Sequence, residues 1–367
     1  MKILLMGDYS ACQLTLGRAL SRMGHHVTLA TEGSAYLDTE RPYDLRRRLP
    51  GTPGGALLYA KLRWLQPLRG YDVVSIISPT FVQLRSARVR DVYDRLRRSN
   101  GVVFLNAAGT DKAMVDYYNG PGCVLRYHEW LNPDGTPNHR NDGALAVARL
   151  WQQGSLGALC EHIYDTVDGV TSSLYEYHLA MAARIEPERL AYTGLPVEMP
   201  TAVPARRNDD KIVFLLGRDK YRKAWKGTDI LEEAARDAVR RSGGRAVLDI
   251  VENVPYSEYL HRLGQADVLI DQLYSYTPAL NALLAMSRGR AAISGGEEDF
   301  YDFIGENELR PVINVRPDET SLRAAFDRCL NEDMAELGRQ SRSFVARHND
   351  AETVARRFLD FWVSKMK

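Results

Sequence analysis

The 367-residue sequence lacks the patterns that mark a metal site, a disulfide framework or a membrane span. Its four cysteines lie far apart and form no CxxC pair, which favours reduced, buried thiols. No His/Asp/Glu cluster has metal-ligand spacing. No apolar run approaches the roughly 18–20 residues of a membrane helix, and the apolar N-terminus stops at Gly7, too short for a secretory signal. We therefore expect a cytoplasmic protein that needs no metal.

Net charge is also nearly absent, at +1, but the charges are unevenly distributed. Residues 41–98 contain 13 Lys or Arg against four Asp or Glu, so this segment carries +9 and the rest of the chain about −8. Residues 56–69 mix Leu, Trp and Arg, as segments on anionic membranes do. Two interpretations stay open, a solvated arginine face and peripheral contact with an anionic membrane. Since no recognised motif accompanies the charge, we expect no nucleic-acid partner.

Short apolar runs alternate with helical patterns on both sides of a proline-rich linker at 195–210. This alternation predicts an α/β fold with two doubly wound parallel-sheet domains, 1–197 and 198–349. The C-terminal helix, 350–367, has one strongly apolar face, and we expect it to pack back on the first domain. The predicted strands are 2–6, 26–30, 72–77, 102–106, 167–171 and 191–194 before the linker, and 212–216, 246–251, 268–270, 291–294 and 312–315 after it. Helices are predicted at 82–98, 228–241, 256–264, 278–287 and 320–331.

The most informative segment is 211–229, where a predicted strand ends in Gly217-Arg218 and a cation-rich loop leads to Lys226 and a helix start at Thr228. Ligands of parallel α/β sheets bind outside the carboxyl ends of the strands, and a helix N-terminus favours anions. Gly217 permits close approach of the backbone, while Arg218 and Lys226 supply charge. The segment predicts a site for a small polyanion such as a diphosphate. The same loop holds three weaker candidates, Lys220, Arg222 and Lys223.

A second candidate element lies at 266–294. Thr277 followed by Pro278 is typical of a helix start, with Thr277 as the N-cap and Pro278 at the first helical position. The N–H groups of Ala279 and Leu280 would then be placed to hold a phosphate. Asn281, one turn into the helix, is a candidate to bind a ribose or sugar hydroxyl.

These two elements, in this order and spacing, resemble the retaining nucleotide-sugar glycosyltransferases of the GT-B fold, of the family 4 or group 1 type. The resemblance covers nearly the whole chain, through KILLMG, GHHVTLAT, YDVVSIIS and VDGVTSS, then GRDKYRKAWKGTDIL, VENVPYSEYLHRLGQADVLID and ALLAMSRGRAAISGG. It implies two Rossmann-like domains facing a cleft and metal-free transfer of a sugar from a nucleotide diphosphate to a hydroxyl of a glycan or lipid-linked glycan. It also implies that Arg218 and Lys226 hold the donor diphosphate and that the base lies against Val254.

The sequence departs from the family pattern at its carboxylates. The family has two glutamates eight residues apart, and Tyr276 and Leu284 stand at those positions here. The second of these glutamates normally binds the donor ribose, so ribose recognition must differ. Glu297, after a predicted strand end, is a candidate to replace the lost carboxylate at the donor sugar.

The first domain supplies the remaining candidates. The family's His-Gly-x-Asp matches residues 108–111, so Ala108 replaces the histidine while Asp111 is kept as a catalytic candidate. Asp8 and Tyr9 follow the first strand and are candidates on the acceptor side.

Three functions stay open. The retained cations favour an active glycosyltransferase, and the lost carboxylates favour a catalytically degenerate GT-B binding or scaffold subunit. A different GT-B enzyme, such as a sugar-nucleotide epimerase or a phosphorylase, is the third, although no cofactor-anchoring lysine motif supports a phosphorylase. The sugar, the base and the acceptor are not defined by the sequence.

Overall fold

The structure, a computed structural model, describes residues 1–33, 39–64, 68–203, 211–218 and 223–366. It divides into two compact units. The first unit comprises Met1–Cys123, Ala146–Pro196 and Ala351–Lys367, and the second comprises Val124–Leu145 and Val197–Asp350. Each unit combines a parallel sheet with flanking helices, so the predicted α/β class with Rossmann-like domains is confirmed.

The first part of the chain carries the strands β1 (Lys2–Met6), β2 (His26–Thr31), β3 (Tyr43–Asp44), β4 (Val73–Ile77), β5 (Val102–Ala107), β6 (Gly169–Ser172) and β7 (Leu190–Tyr192). Its helices are α1 (Cys12–Arg22), α2 (Gly51–Trp64), α3 (Ser86–Ser99), α4 (Lys112–Tyr118), α5 (Asp142–Ala148), α6 (Gly154–Thr166) and α7 (Tyr175–Ala182). These strands form a parallel sheet in the order β3-β2-β1-β4-β5-β6-β7. β4 is buried along its length and β1 from Ile3 onward, as continuous apolar runs predict.

The later part carries the strands β8 (Ile212–Gly217), β9 (Ala246–Val251), β10 (Val268–Ile270), β11 (Ala291–Ser294) and β12 (Ile313–Asn314). Its helices are α8 (Lys223–Lys226), α9 (Thr228–Arg241), α10 (Tyr256–Gln265), α11 (Leu280–Ser287), α12 (Glu298–Ile304), α13 (Glu319–Asn331), α14 (Met334–His348) and α15 (Ala351–Lys365). The strands form a second parallel sheet in the order β12-β11-β10-β8-β9.

Each sheet has a point at which the strand order reverses. In the first unit the chain leaves β1 for β2 on one side and later returns to β4 on the other, so the switch lies between β1 and β4. In the second unit the switch lies between β8 and β10. Ligands of open α/β sheets bind outside the carboxyl ends of the strands at such points. The topology therefore directs attention to the residues that follow these four strands.

The terminal helix α15 belongs to the first unit, where it packs against α1. Val354, Phe358 and Trp362 are almost fully buried, and the Trp362 ring lies 6.0 Å from that of Phe104 on β5. The apolar face read from the sequence is thus the face that covers this side of the first sheet. No helix in the described part of the chain is long and apolar enough to cross a bilayer.

The segment 124–145 lies in the second unit, although the division predicted from sequence placed everything up to residue 197 in the first domain. This part of the prediction needs correction. The physical reason is that Arg126 and Tyr127 both donate hydrogen bonds to Glu297, which lies near β11 in the second unit. The chain therefore enters the second unit, returns for residues 146–196, and enters it again at Val197.

Candidate functional site

The carboxyl edge of the second sheet brings the predicted cations to the switch point. β8 ends at Gly217 and is followed by Arg218, while Asp271 follows β10, the neighbouring strand. Lys226 is the last residue of α8, and only Gly227 separates it from α9. Its carbonyl accepts a 2.9 Å hydrogen bond from the N–H of Leu273, two residues beyond Asp271. Lys226 therefore lies at the edge where an anionic ligand is expected.

Arg218 is bound by carboxylates that the sequence did not single out. Its Nε donates to Glu252 at 2.6 Å and its Nη1 donates to Glu232 at 3.1 Å. Hydrogen bonds to Glu252 and then Glu232 raise the pKa of Arg218. The guanidinium therefore stays charged, but its charge is balanced by two neighbours, and a diphosphate would have to compete with them.

Lys226 has fewer carboxylate contacts than Arg218 among the described residues. About a third of its side chain is exposed, at 31%, and its nearest carboxylate atom among the described residues is Asp271 Oδ1 at 3.8 Å. That distance is longer than a hydrogen bond, so the ammonium keeps donors for an incoming anion. Lys223 begins the same short helix and is half-buried. Lys220 and Arg222 lie outside the described residues.

The helix that follows β10 begins later than the sequence predicts. α11 starts at Leu280 with Ala279 as its N-cap, so Thr277 is not the cap. The Ser275 side chain explains the shift, because its hydroxyl bonds the backbone of Thr277 in a local turn that delays helix formation. The N–H groups of the first turn, starting at Leu280, still lie at the helix end nearest the carboxyl edge.

Two tyrosines of α10 lie beside this edge, near the end of β8. The hydroxyl of Tyr259 donates to Asn281 Oδ1. This bond orients the Asn281 side chain, which was predicted to bind a ribose or sugar hydroxyl. Tyr256 and Tyr259 stack at 6.5 Å with 18° between their planes. Val254 packs against the same apolar cluster. A Cβ on Gly217 would lie 3.6 Å from the Tyr259 ring, so that glycine leaves room without being required by a clash.

Glu297 lies in a dense set of donors. Its side chain is fully buried, and its Oε1 accepts bonds from Tyr127, Asn314 and Arg316 while Oε2 accepts from Arg126 and Arg316. Burial alone would raise the pKa of Glu297, but the bonds from Arg316 and Asn314 bring it below its usual value. The carboxylate is thus ionised and saturated. Its predicted catalytic role stays a prediction, and the contacts point to a structural anchor.

Tyr276 completes this anchor. Its hydroxyl accepts the N–H of Arg126 at 2.5 Å, and its ring stacks on Tyr127 at 4.9 Å. Trp130 from the same segment meets Trp225 of α8 edge-on at 6.0 Å. The segment 124–145 therefore packs beside both Glu297 and the Lys226 helix.

Asp8 lies beyond β1, at the switch point of the first sheet. It is buried, and its Oδ1 accepts the N–H of Gln13 at 2.8 Å. Its Oδ2 accepts no hydrogen bond within the described residues. Burial raises the pKa of Asp8 to about 6. Tyr9, its neighbour, is 40% exposed. The two acceptor-side candidates thus differ, since Asp8 is a buried carboxylate and Tyr9 an accessible ring.

Backbone strain marks the same place. Ser10 and Ala11 after β1, and Ser78 after β4, have φ values of 51°, 63° and 67°. Left-handed residues other than glycine cost about 1–3 kcal/mol and cluster at functional sites. Both loops flank the switch point, which independently favours this edge as a binding surface of the first unit.

Asp111, the first-unit catalytic candidate, is the N-cap of α4. Its Oδ1 accepts the N–H of Met114 at 3.0 Å, and the residue is almost fully buried. Burial raises the pKa of Asp111 to about 6, against the hydrogen bond from Met114. A capping role accounts for these contacts, and a catalytic role stays a prediction.

Comparison with known proteins gives a fold but no family assignment. Neither a protein-family model nor a curated protein sequence matches this chain. Among solved structures, sucrose-phosphate synthase from Thermosynechococcus elongatus matches with a TM-score of 0.62 at 14% identity, covering 99% of this chain and 98% of that one. WaaG, a glycosyltransferase involved in lipopolysaccharide biosynthesis, matches with a TM-score of 0.58 at 12% identity, covering 98% and 99%.

A third match is a TarM mutant from S. aureus in complex with fondaparinux, alpha-GlcNAc-glycerol and UDP, with a TM-score of 0.55 at 12% identity. It covers 83% of this chain, and the chain spans 58% of TarM. Structural similarity at such low identities shows the fold alone, and the reaction has to be argued from the residues of the site. The chain has the GT-B fold, as the resemblance implied.

Proposed function

We propose that this protein is a glycosyltransferase that moves a sugar from a nucleotide diphosphate to a hydroxyl of a glycan or lipid-linked glycan. The observation that carries the proposal is the position of Lys226. Its ammonium is accessible and lies at the β8/β10 switch point, and only Gly227 separates Lys226 from the N-terminus of α9. Topology, charge and helix polarity all favour a phosphate-bearing ligand there. The solved structures of the same fold include a UDP complex.

The proposed chemistry is electrostatic. Breaking the bond between sugar and diphosphate leaves negative charge on the departing phosphate oxygens, and fixed cations lower the energy of that state. Lys226 is the first candidate for this task, and Arg218 is the second if a diphosphate displaces Glu232 or Glu252 from it. The first-turn N–H groups of α11 would add donors. We propose that these groups act without a metal ion and that transfer retains the anomeric configuration.

The test is transfer itself. The purified protein would be incubated with radiolabelled UDP-, GDP- and ADP-sugars and with glycan and lipid-linked glycan acceptors. We expect label on an acceptor and a loss of rate of about 10- to 150-fold in Lys226→Ala, the cost of one charge-assisted hydrogen bond. Lys211→Ala is the matched control, because Lys211 precedes β8 at the opposite edge of the sheet.

Two results would redirect the assignment. An isomerised donor without transfer would make the protein a sugar-nucleotide epimerase of the same fold. Neither reaction, together with no nucleotide binding, would support the degenerate scaffold subunit.

We further propose that the basic segment contacts an anionic bilayer. α2 exposes Leu57 and follows the exposed Leu49, at 56% and 48%. The segment is rich in arginine, and the guanidinium of Arg88 lies over the ring of Tyr59 on α2, 5.2 Å from its centroid. The exposed arginines in the described part of residues 41–98 are Arg46, Arg47, Arg48, Arg63, Arg69, Arg85, Arg90 and Arg98. Exposed leucines in a segment with many exposed arginines suit an anionic lipid surface, on which a lipid-linked acceptor would lie.

Vesicle co-flotation tests this second proposal. We expect binding to vesicles that contain phosphatidylglycerol, no binding to pure phosphatidylcholine, and loss of binding at high salt. Leu57→Glu should reduce binding, whereas Leu150→Glu should not, because Leu150 is equally exposed at 57% but lies outside the basic segment. Equal effects of the two variants on vesicle binding would contradict the proposal that α2 contacts the bilayer.

A further inference from the structure

Asp271 is a buried carboxylate that the sequence analysis did not select. It directly follows β10, its side chain is fully buried, and its N–H donates to the carbonyl of Ile293 on β11 at 3.0 Å. Its Oδ2 accepts a bond from the Ser294 hydroxyl at 3.2 Å. Its Oδ1 accepts no hydrogen bond within the described residues. One oxygen is thus held by a hydrogen bond, while the other is buried and has no donor among the residues that the structure describes.

The ammonium of Lys226 is the cation that Asp271 faces. It lies 3.8 Å from Oδ1, and no other cation in the described part of the chain comes within 4 Å of this carboxylate. A buried carboxylate without a partner charge is strongly unfavourable. The long, flexible lysine side chain can come closer than 3.8 Å by a small rotamer change, whereas the carboxylate is held by its neighbours. The pair is therefore anchored on the Asp271 side.

The same loop also holds the backbone of Lys226. The N–H of Leu273 donates to the Lys226 carbonyl, and Leu273 packs so closely that a Cβ on Gly227 would lie 2.7 Å from its own Cβ. The ammonium of Lys226 therefore faces Asp271, and its backbone carbonyl is held by Leu273. The chain positions this lysine through Asp271 and Leu273, which lie 45 and 47 positions later in the sequence.

We infer that Asp271 is a positioning residue that holds the Lys226 ammonium at the switch point, ready for the diphosphate of the donor. This inference rests on the proposed function for the identity of the ligand. Ligand reaches the ammonium and not the carboxylate, because Lys226 is 31% exposed while Asp271 is completely enclosed. Asp271 restricts the lysine before binding and so reduces the side-chain entropy that binding would otherwise remove.

The first experiment is a double-mutant cycle on unfolding in urea, without nucleotide. It compares the wild type with Asp271→Asn, Lys226→Met and the double variant. We expect Lys226→Met to lower the urea midpoint, since it leaves Asp271 without a counter-charge, and Asp271→Asn to restore it in that background. Strictly additive midpoints would overturn the inference.

The second experiment repeats the cycle on nucleotide binding, with whichever of UDP, GDP and ADP the wild type binds. We expect Asp271→Asn to weaken binding about 5- to 30-fold when Lys226 is present, the range expected for freeing one long side chain. In the Lys226→Met background the same change should not weaken binding, because no ammonium remains to be positioned. Equal weakening in both backgrounds would contradict a positioning role.

A matched control separates positioning from a general loss of packing. Asp267→Asn alters another buried aspartate at the opposite end of β10, where Oδ2 accepts the N–H of Val213 at 2.9 Å. It should lower the urea midpoint without changing nucleotide affinity. If the wild type binds none of the three nucleotides, the proposed function fails, while the unfolding cycle still decides whether Asp271 holds Lys226.

Discussion

Glu306 shows at the scale of one residue how donors outweigh burial. Its side chain is 2% exposed and accepts bonds from His348 at 2.6 Å and from Arg347 at 3.0 Å, besides two backbone N–H groups. Burial would raise its pKa, but the bond from His348 and the others lower the pKa of Glu306 from 4.5 to about 2. A pKa that is lower in the folded state stabilises the fold above pH 4.5, and this contribution is lost as the pH falls towards 2.

Glu306→Gln should therefore lower the free energy of unfolding at pH 7 by about 2–3 kcal/mol. The difference from the wild type should shrink below pH 4.5 and disappear near pH 2, where the wild-type carboxyl is protonated too. Urea titrations across this range measure it. Glu308→Gln is the control, because Glu308 shares Arg347 but is 76% exposed, and its effect should stay within about 0.5 kcal/mol. A pH-independent loss in Glu306→Gln would contradict the assignment.

Single residues were predictable where their position along the chain determines their role. Lys226 follows a strand and precedes a helix, so sequence order alone places it at the carboxyl edge of a parallel sheet. Glu297 satisfies the same rule, but its surroundings come from Arg126 and Arg316, the former 171 positions away in sequence. No local pattern reveals such partners, so the donors that bind the Glu297 carboxylate could not be predicted from the sequence. Asp271 also directly follows a predicted strand, so its position at the carboxyl edge was predictable from the sequence.

At the scale of elements, the junction of α8 and α9 is the most constrained part of the candidate site. Gly227 has a φ of 66° and serves as the N-cap of α9. Any Cβ there would clash with Leu273, so glycine is required both by the backbone angle and by the contact. The angle lets Lys226 end one helix immediately before the next begins.

Gly227→Ala should lower the free energy of unfolding by about 2–4 kcal/mol, from left-handed strain plus overpacking, and should weaken nucleotide binding. Gly243→Ala isolates the strain, because Gly243 has a φ of 62° and nothing within 4 Å of the added methyl. We expect it to cost about 1–2 kcal/mol and to leave nucleotide affinity unchanged. Urea titration and calorimetry read the two effects. Equal affinities in both variants would mean that the Leu273 contact does not position Lys226.

Elements with long, regular patterns were predicted well. The predicted helix 228–241 and the predicted strands 246–251, 268–270 and 291–294 coincide with α9, β9, β10 and β11. The start of α11 was missed because the Ser275 turn competes with the helix. α3 begins at Ser86, four residues after the predicted start. Propensity thus defines where a helix runs better than where it begins.

At the scale of the molecule, the alternation of strands and helices was enough to predict two parallel α/β units, and the solved structures share that fold. The membership of 124–145 was not predictable. Its contacts reach Tyr276 and Glu297, 150 and more positions along the chain, and depend on tertiary packing that leaves no periodic signal. The reaction was not predictable from the fold either, since one fold supports several reactions and the site residues decide among them.

The central claim is that the carboxyl edge of the second sheet binds a nucleoside diphosphate through Lys226. Isothermal titration calorimetry with UDP, GDP and ADP tests it most directly, on the wild type, Lys226→Ala and the control Lys211→Ala. The account predicts that at least one nucleotide binds, that Lys226→Ala weakens its binding about 10- to 150-fold, and that Lys211→Ala does not. Binding that is equally tight in Lys226→Ala, or no binding to the wild type, would contradict it.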